Sequence, residues 1–166
     1  MAQTPPTPAA DPHLWLEDVT GEKALAWVRA RNAETAKELE TRPGYKALEA
    51  DILKILDSAA KIPYISKAGG YYYNFWKDAK NPRGLWRRTT LEEYRKAEPK
   101  WDVVLDLDAL GKAEKQSWVW HGAQFLKPGY QRCLISLSPG GSDAVAVREF
   151  DMASRLSSWL MQPRKF

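Results

Sequence analysis

The sequence has little from which to build a covalently linked or membrane-bound scaffold. Cys133 is the only cysteine among 166 residues, so no internal disulfide can form, and its apolar neighbours predict a buried thiol. No run of about 18 apolar residues occurs, so no transmembrane helix is expected. The first ten residues lack the basic and apolar segments of a secretory signal. They predict a disordered lead-in and a cytoplasmic protein.

Charge of one sign is also scarce. The net charge is +4, and the basic residues are interspersed with Asp and Glu without any block of five or six like charges. Arg87-Arg88 and Arg164-Lys165 are doublets only. This distribution favours a solvated surface over a nucleic-acid interface. We therefore predict neither nucleic acid nor a membrane as a partner.

Patterns for cofactors and metals are missing as well. The sequence has no Gly-rich phosphate loop, no zinc-ligand spacing and no HExxH motif. Asp102, Asp106 and Asp108 are spaced like metal ligands, but the Gly and Glu of an EF-hand loop are not at the required offsets. Turns and helix caps are the favoured roles for these carboxylates. We predict no cofactor-binding residues and no metal ligands.

One string resembles a catalytic motif. Residues 140–144 (GGSDA) nearly match the nucleophile elbow, which needs a strand before its Ser and a helix after it. Residues 144–150 have the pattern of a strand, so Ser142 is predicted to lie in a hairpin loop. His13 and His121 lack the context of a triad base, and His121 is interpreted as a packed or solvent-edge side chain. The sequence therefore assigns no catalytic residue.

Aromatic residues, in contrast, are abundant, with eight Trp and seven Tyr. Residues 71–76 (YYYNFW) and 85–90 (LWRRTT) flank a polar segment with Asn, Pro and Gly, the pattern of a β-hairpin. Interleaved aromatic and basic residues could also stack on single-stranded nucleic acid. Sheet packing is the favoured explanation.

Two helices are predicted before this hairpin. Thr20 is placed to cap a helix that ends near Thr41, and Pro43 is placed to open a second one that ends near Ala59 or Ala60. The second helix has an apolar stripe at three- and four-residue intervals, formed by Tyr45, Leu48, Ile52, Ile55 and Leu56.

Short strands with turn signals follow to the end of the chain. A first set is predicted at residues 62–66, 71–76, 85–90 and 101–105, and a second at residues 118–121, 131–138 and 144–151. A turn is expected at residues 67–70, and short helical turns at residues 91–97 and 106–113. This spacing fits both a β-propeller and a β-sandwich, and spacing alone does not decide between them.

Several segments together resemble the start of the prolyl oligopeptidase family of serine peptidases. The similarity covers residues 11–152. The segments that carry it, in order, are DPHLWLED (11–18), KALAWV (23–28), YYYNFW (71–76), NPRGLWRRT (81–89), LSPGGSDA (137–144) and REFD (148–151).

The resemblance implies a seven-bladed β-propeller followed by an α/β-hydrolase domain that carries the whole catalytic triad. The propeller admits only short peptides, and the N-terminal helices pack against the hydrolase domain. We therefore expect a mainly β chain with N-terminal helices, holding fewer than two blades of the propeller. Its expected partners are the hydrolase domain, in cis, and short peptides as family substrates. Whether the chain is itself an enzyme stays undecided, although it is predicted inactive alone.

The expected organisation has four parts. Residues 1–10 form the lead-in, residues 11–60 a helical segment, and residues 61–152 an incomplete propeller. Residues 153–166 fit neither a strand nor the family pattern, which suggests the hypothesis of a truncated or frame-shifted product. The alternative to the peptidase fragment is a stand-alone β-rich module that binds a peptide or protein.

Overall fold

The computed structural model describes the backbone of residues 11–161 and the side chains of residues 11–158. The chain divides into two compact units, with the boundary between Lys54 and Ile55. We call residues 11–54 the helical unit and residues 55–161 the sheet unit. The lead-in predicted for residues 1–10 lies outside the described residues.

The helical unit contains a short 3-10 helix at Leu14–Glu17 and helix α1 at Glu22–Leu39. Gly21, rather than Thr20, is the N-cap residue of α1, and it provides no side-chain hydrogen bond. The Thr20 hydroxyl instead donates to the carboxylate of Asp18. The predicted helix is thus confirmed, but its predicted cap is wrong because the Thr20 side chain binds within the preceding turn.

Helix α2 spans Tyr45–Asp57 and crosses the boundary between the units. The sequence suggested Pro43 as the first residue of this helix. In the structure Pro43 precedes the helix. The reason lies at Gly44, whose φ of 88° is incompatible with a right-handed helix. The helix can begin only after that residue.

The sheet unit consists of two four-stranded antiparallel sheets in simple up-and-down order. The first sheet contains β1 (Ser66–Ala68), β2 (Tyr71–Trp76), β3 (Leu85–Thr89) and β4 (Asp102–Asp106). The second contains β5 (Trp118–Phe125), β6 (Arg132–Pro139), β7 (Ala146–Asp151) and β8 (Ser157–Met161). Helix α3 (Leu91–Tyr94) links β3 to β4, and helix α4 (Leu107–Glu114) links the two sheets.

The first strand lies later in the chain than predicted. A strand was expected at residues 62–66 and a turn at residues 67–70, but β1 spans Ser66–Ala68 and pairs with β2 through Ala68 and Tyr71. The connection is a two-residue turn at Gly69-Gly70, where Gly69 has a φ of 58°. Because this turn takes only two residues, residues 67 and 68 belong to β1 and not to the predicted turn.

The last strand, β8, was not expected. Asp151 accepts hydrogen bonds from the backbone N–H groups of Ala153 and Ser154, and Arg155 adopts a left-handed conformation with a φ of 59°. The chain turns there and places Ser157 opposite Phe150. The second sheet therefore has four strands, one more than expected. The expectation that residues 153–166 fit no strand is wrong for residues 157–161, and residues 162–166 lie outside the described residues.

The core of the sheet unit lies where the two sheets meet. Phe75 stacks on Trp120 with ring centroids 5.4 Å apart, and Tyr73 lies 4.8 Å from Phe125. Trp86 contacts aromatic rings of the second sheet, including Trp120 at 5.0 Å. Aromatic pairs at these distances stabilise a core beyond the area that they bury. The predicted role of the aromatic hairpin in sheet packing is confirmed.

Candidate functional site

Ser142 lies in the loop between β6 and β7. Its hydroxyl donates to the backbone carbonyl of Ala144 at 3.3 Å, and strand β7 follows. A nucleophile elbow requires a helix after the Ser, because the helix N-terminus and the sharp turn expose the hydroxyl. The predicted hairpin loop is confirmed, and the motif lacks its structural context.

A second Ser was missed by the sequence analysis. Ser138 is buried in β6, and its Oγ lies 2.8 Å from Nε2 of His121 in β5. His121 sits at a β-bulge, since Trp120 and Gly122 pair with β6 on either side of it. Among the described residues no carboxylate hydrogen-bonds to His121. The contact therefore supports the irregular pairing of β5 with β6 and does not form a triad.

The three aspartates proposed for turns and caps have different roles. Asp106 caps α4 by accepting a hydrogen bond from the Ala109 N–H at 2.9 Å, and Asp108 accepts from the backbone of residues 83 and 84. These two roles are as predicted. Asp102 instead forms ion pairs, with Arg88 at 2.9 Å and with Arg155 at 2.7 Å. In residues 11–158 no group of three acidic, His or Cys side chains could hold a metal ion.

An ion pair between a buried arginine and a partly exposed glutamate joins α4 to the second sheet. Arg148 in β7 is 2% exposed and binds both carboxylate oxygens of Glu114, at 2.8 and 2.6 Å. The indole N–H of Trp118 donates to the same carboxylate at 2.7 Å. The hydrogen bond from Arg148 lowers the pKa of Glu114 below its ordinary value. This cluster fixes the connector between the sheets, and a separation of 34 residues hid it from sequence patterns.

Cys133 is buried in β6, as predicted. Burial raises the pKa of its thiol to about 12. A thiol that stays protonated is a poor nucleophile, so Cys133 acts as a small apolar side chain.

No helix in residues 11–161 is long and apolar enough to cross a membrane.

The first sheet has a polar cleft on the face opposite the aromatic core. Arg87 follows Trp86 in β3, so its side chain projects to the other face. Its guanidinium carbon lies 4.3 Å from the ring centroid of Trp76 and 4.2 Å from that of Trp101. The cleft around these three residues has a volume of about 460 Å³. We call it the Arg87 cleft.

The helices present apolar side chains to solvent. Ala24 is the one buried side chain among the described residues of the helical unit. Helix α2 has an exposed stripe, which we call the α2 stripe, formed by Leu48, Ile52, Ile55 and Leu56, between 47% and 71% exposed. Helix α1 adds exposed Leu25, Trp27, Val28 and Leu39. Exposed apolar surface of this kind is typical of interaction sites.

The match to known proteins includes both the helices and the sheets. Residues 1–158 match the model of the prolyl oligopeptidase N-terminal β-propeller domain. An uncharacterized peptidase of Sinorhizobium fredii is 47% identical over 146 residues, which are 87% of this chain and 20% of the relative. An uncharacterized peptidase of Rickettsia prowazekii is 38% identical over 85% of this chain and 20% of its own length.

A solved structure matches over a similar share of this chain. The post-proline cleaving enzyme of Rickettsia typhi has a TM-score of 0.81 and 36% identity over 90% of this chain and 22% of that enzyme. The chain thus spans about a fifth of the length of its relatives. The two four-stranded sheets are the start of a β-propeller, so the expected mainly β fold with N-terminal helices is confirmed.

Proposed function

The chain belongs to the prolyl oligopeptidase family, within the N-terminal propeller domain, and from that premise we propose a non-catalytic role for it. In the complete peptidase the helices pack against the α/β-hydrolase domain, and the two blades form part of the wall that admits short peptides to the active site. The catalytic triad belongs to the hydrolase domain and not to this chain.

The observation that carries the proposal is the α2 stripe. Fully burying a Leu or Ile side chain contributes about 1.5–3 kcal/mol, so four such exposed residues represent a large unused stabilisation. Charged residues on the same helix form exposed pairs, such as Lys46 with Glu49 at 3.0 Å. A helix with one solvated face and one exposed apolar face fits a docking element for a neighbouring domain.

The gating role is supported by the close packing between the two sheets. Aromatic rings from both sheets interlock, and Glu114 with Arg148 fixes the connector between the sheets. A wall that excludes large substrates must keep its shape, and a close-packed aromatic core provides that. Among its described residues the chain has no Ser, His and carboxylate that are joined by consecutive hydrogen bonds.

A chimera tests the proposal. The matched N-terminal fifth of the Rickettsia typhi enzyme is replaced by this chain, and cleavage of a short prolyl 4-nitroanilide peptide is measured. We expect cleavage by the chimera and none by the chain alone. The chimera should also cleave a short peptide faster than the same site within a long unfolded protein.

Two results would contradict the proposal. One is cleavage of the prolyl peptide by the chain alone that Ser142→Ala abolishes. The other is a chimera without activity when the host enzyme, expressed in parallel, is active. The control is the host carrying its own N-terminal segment, which must show full activity in the same assay.

A further inference from the structure

The Arg87 cleft presents one edge of a guanidinium group. Trp76 and Trp101 cover its two faces, so no ligand can stack there. Its Nε donates to the side-chain oxygen of Asn74 at 2.9 Å, and Asn74 is held in turn by a hydrogen bond to the Tyr64 carbonyl. Among the described residues the two Nη groups of Arg87 have no hydrogen-bond partner. Those groups are fixed in orientation and open to a ligand.

The electrostatic surroundings of the cleft are cationic. Lys61 and Lys96 line it beside Arg87, and no carboxylate does. Lys61 donates to two backbone carbonyls and Lys96 pairs with Glu93, so both are already engaged. Burial lowers the pKa of Arg87 to about 10, and the charge of Asp78 opposes that shift only in part.

Asp78 is the acidic residue that acts electrostatically on Arg87. It is occupied by hydrogen bonds from the Trp76 indole at 2.9 Å and from the backbone and side chain of Asn81. It therefore leaves the Nη edge of Arg87 without a direct partner. A planar carboxylate matches that edge, because its two oxygens can accept two parallel N–H bonds.

We propose that the Arg87 cleft is an inter-blade docking site that receives an Asp or Glu side chain from another blade of the same propeller. The other face of the first sheet already packs on the second sheet through Phe75 and Trp86. In a propeller each blade has a neighbour on both faces. The proposal rests on the proposed function, since the chain covers 22% of the enzyme that would supply the further blade.

Chemical modification of arginine tests the proposal directly. Phenylglyoxal is reacted with the isolated chain and with the chimera, and modified arginines are located by mass spectrometry. Arg87 should react several times more slowly in the chimera than in the isolated chain. Arg83, whose side chain is exposed in the loop after β2, is the matched control and should react equally in both.

Substitutions give a second measurement. Arg87→Met should lower the Tm of the chimera more than that of the isolated chain, because it leaves a carboxylate of the other blade buried without a partner. Arg87→Lys, which keeps the charge but not the fork of donors, should have an intermediate effect. Arg83→Met removes the same charge from an exposed position and should shift neither Tm.

The outcomes separate the inference from its premise. A folded, active chimera in which Arg87 reacts as fast as in the isolated chain overturns the inference alone. A chimera that does not fold contradicts both.

Protection of Arg87 in the isolated chain that is lost on dilution indicates a second copy as the occupant. Protection by sodium acetate over sodium chloride, without protection in the chimera, indicates a small carboxylate ligand. Either result overturns the inter-blade assignment.

Discussion

The helical unit and the sheet unit differ in where their apolar side chains lie. In the sheet unit Ile135, Leu137 and Phe150 are at most 1% exposed. In the helical unit Leu48 and Ile52 are 61% and 47% exposed. Both units have regular secondary structure, but among the described residues only those of the sheet unit form a core. Regular hydrogen bonding is thus no measure of independent stability, since most helix stability in proteins comes from packing.

The difference assigns different tasks to the two units. The sheet unit is stabilised from within, by aromatic contacts and by the ion pair of the buried Arg148 with Glu114. In the helical unit the apolar residues Leu48 and Ile52 belong to the α2 stripe and are about half-exposed or more. Its fold and its role as a docking element are therefore connected, because the surface that covers the stripe also stabilises the helices.

The largest expected effect compares two isoleucines. Ile135→Ala removes a fully buried side chain and should lower the free energy of unfolding of the sheet unit by about 2–5 kcal/mol. Ile52→Ala removes a half-exposed side chain and should change it by less than about 0.5 kcal/mol. Denaturant unfolding of the isolated chain, followed by tryptophan fluorescence, measures both. Equal effects would break the comparison between the units.

A smaller effect is expected at the connector between the sheets. Glu114→Gln should cost about 2 kcal/mol, less than for a fully buried pair, because the Glu114 side chain is 32% exposed. The measurement is again denaturant unfolding. Glu22→Gln, at an exposed pair in α1, is the matched control and should have little effect. A loss no greater than that of Glu22→Gln would contradict the structural role of this pair.

The same pair should make stability depend on pH. The pKa of Glu114 is lower in the folded state than its unfolded value of about 4.3, so the ion pair contributes fully above that value. The contribution disappears as the pH falls through the folded-state pKa. Unfolding measured between pH 7 and pH 3 should therefore show a steeper loss for the natural sequence than for Glu114→Gln. Parallel curves would contradict this.

The smallest expected effect lies at the contact of Asp102 with Arg155, which joins β4 of the first sheet to the turn before β8. The Asp102 side chain is 43% exposed, so Asp102→Asn, which removes the pairs with both Arg155 and Arg88, should cost about 1 kcal/mol and less at high salt. Thermal melting at low and high salt measures this. Asp143→Asn, in the loop after β6, is the control. A loss above about 2 kcal/mol, insensitive to salt, would show that the sheets depend on this contact more than the comparison allows.

Local signals in the sequence predicted much of the fold. Two aromatic, β-prone stretches around a polar segment with Asn, Pro and Gly identified β2 and β3, and helical periodicity identified α2. Strand β8 was missed because Arg155, and not Gly, takes the left-handed conformation in the preceding turn. The sequence also presented Arg87 and Arg88 as one basic doublet. In the strand they project to opposite faces, where one lies between two Trp rings and the other pairs with Asp102.

The long-range contacts were beyond sequence patterns for the same reason in each case. Glu114 and Arg148 meet through the packing of α4 on the second sheet, and His121 meets Ser138 across a bulge. Neither pair has a separation along the sequence from which the contact could be predicted. The α2 stripe was visible in the sequence, but its exposure was not, because an amphipathic pattern does not say which surface covers it.

Hydrogen exchange of backbone amides, in the isolated chain and in the chimera, tests the central claim most directly. In the isolated chain we expect strong protection of β2, β3, β6 and β7 and little protection of α1 and of α2 up to residue 54. In the chimera both helices should become protected while the strands change little. Helices already protected in the isolated chain, or still unprotected in a folded chimera, would contradict the account that they are docking elements without a core of their own.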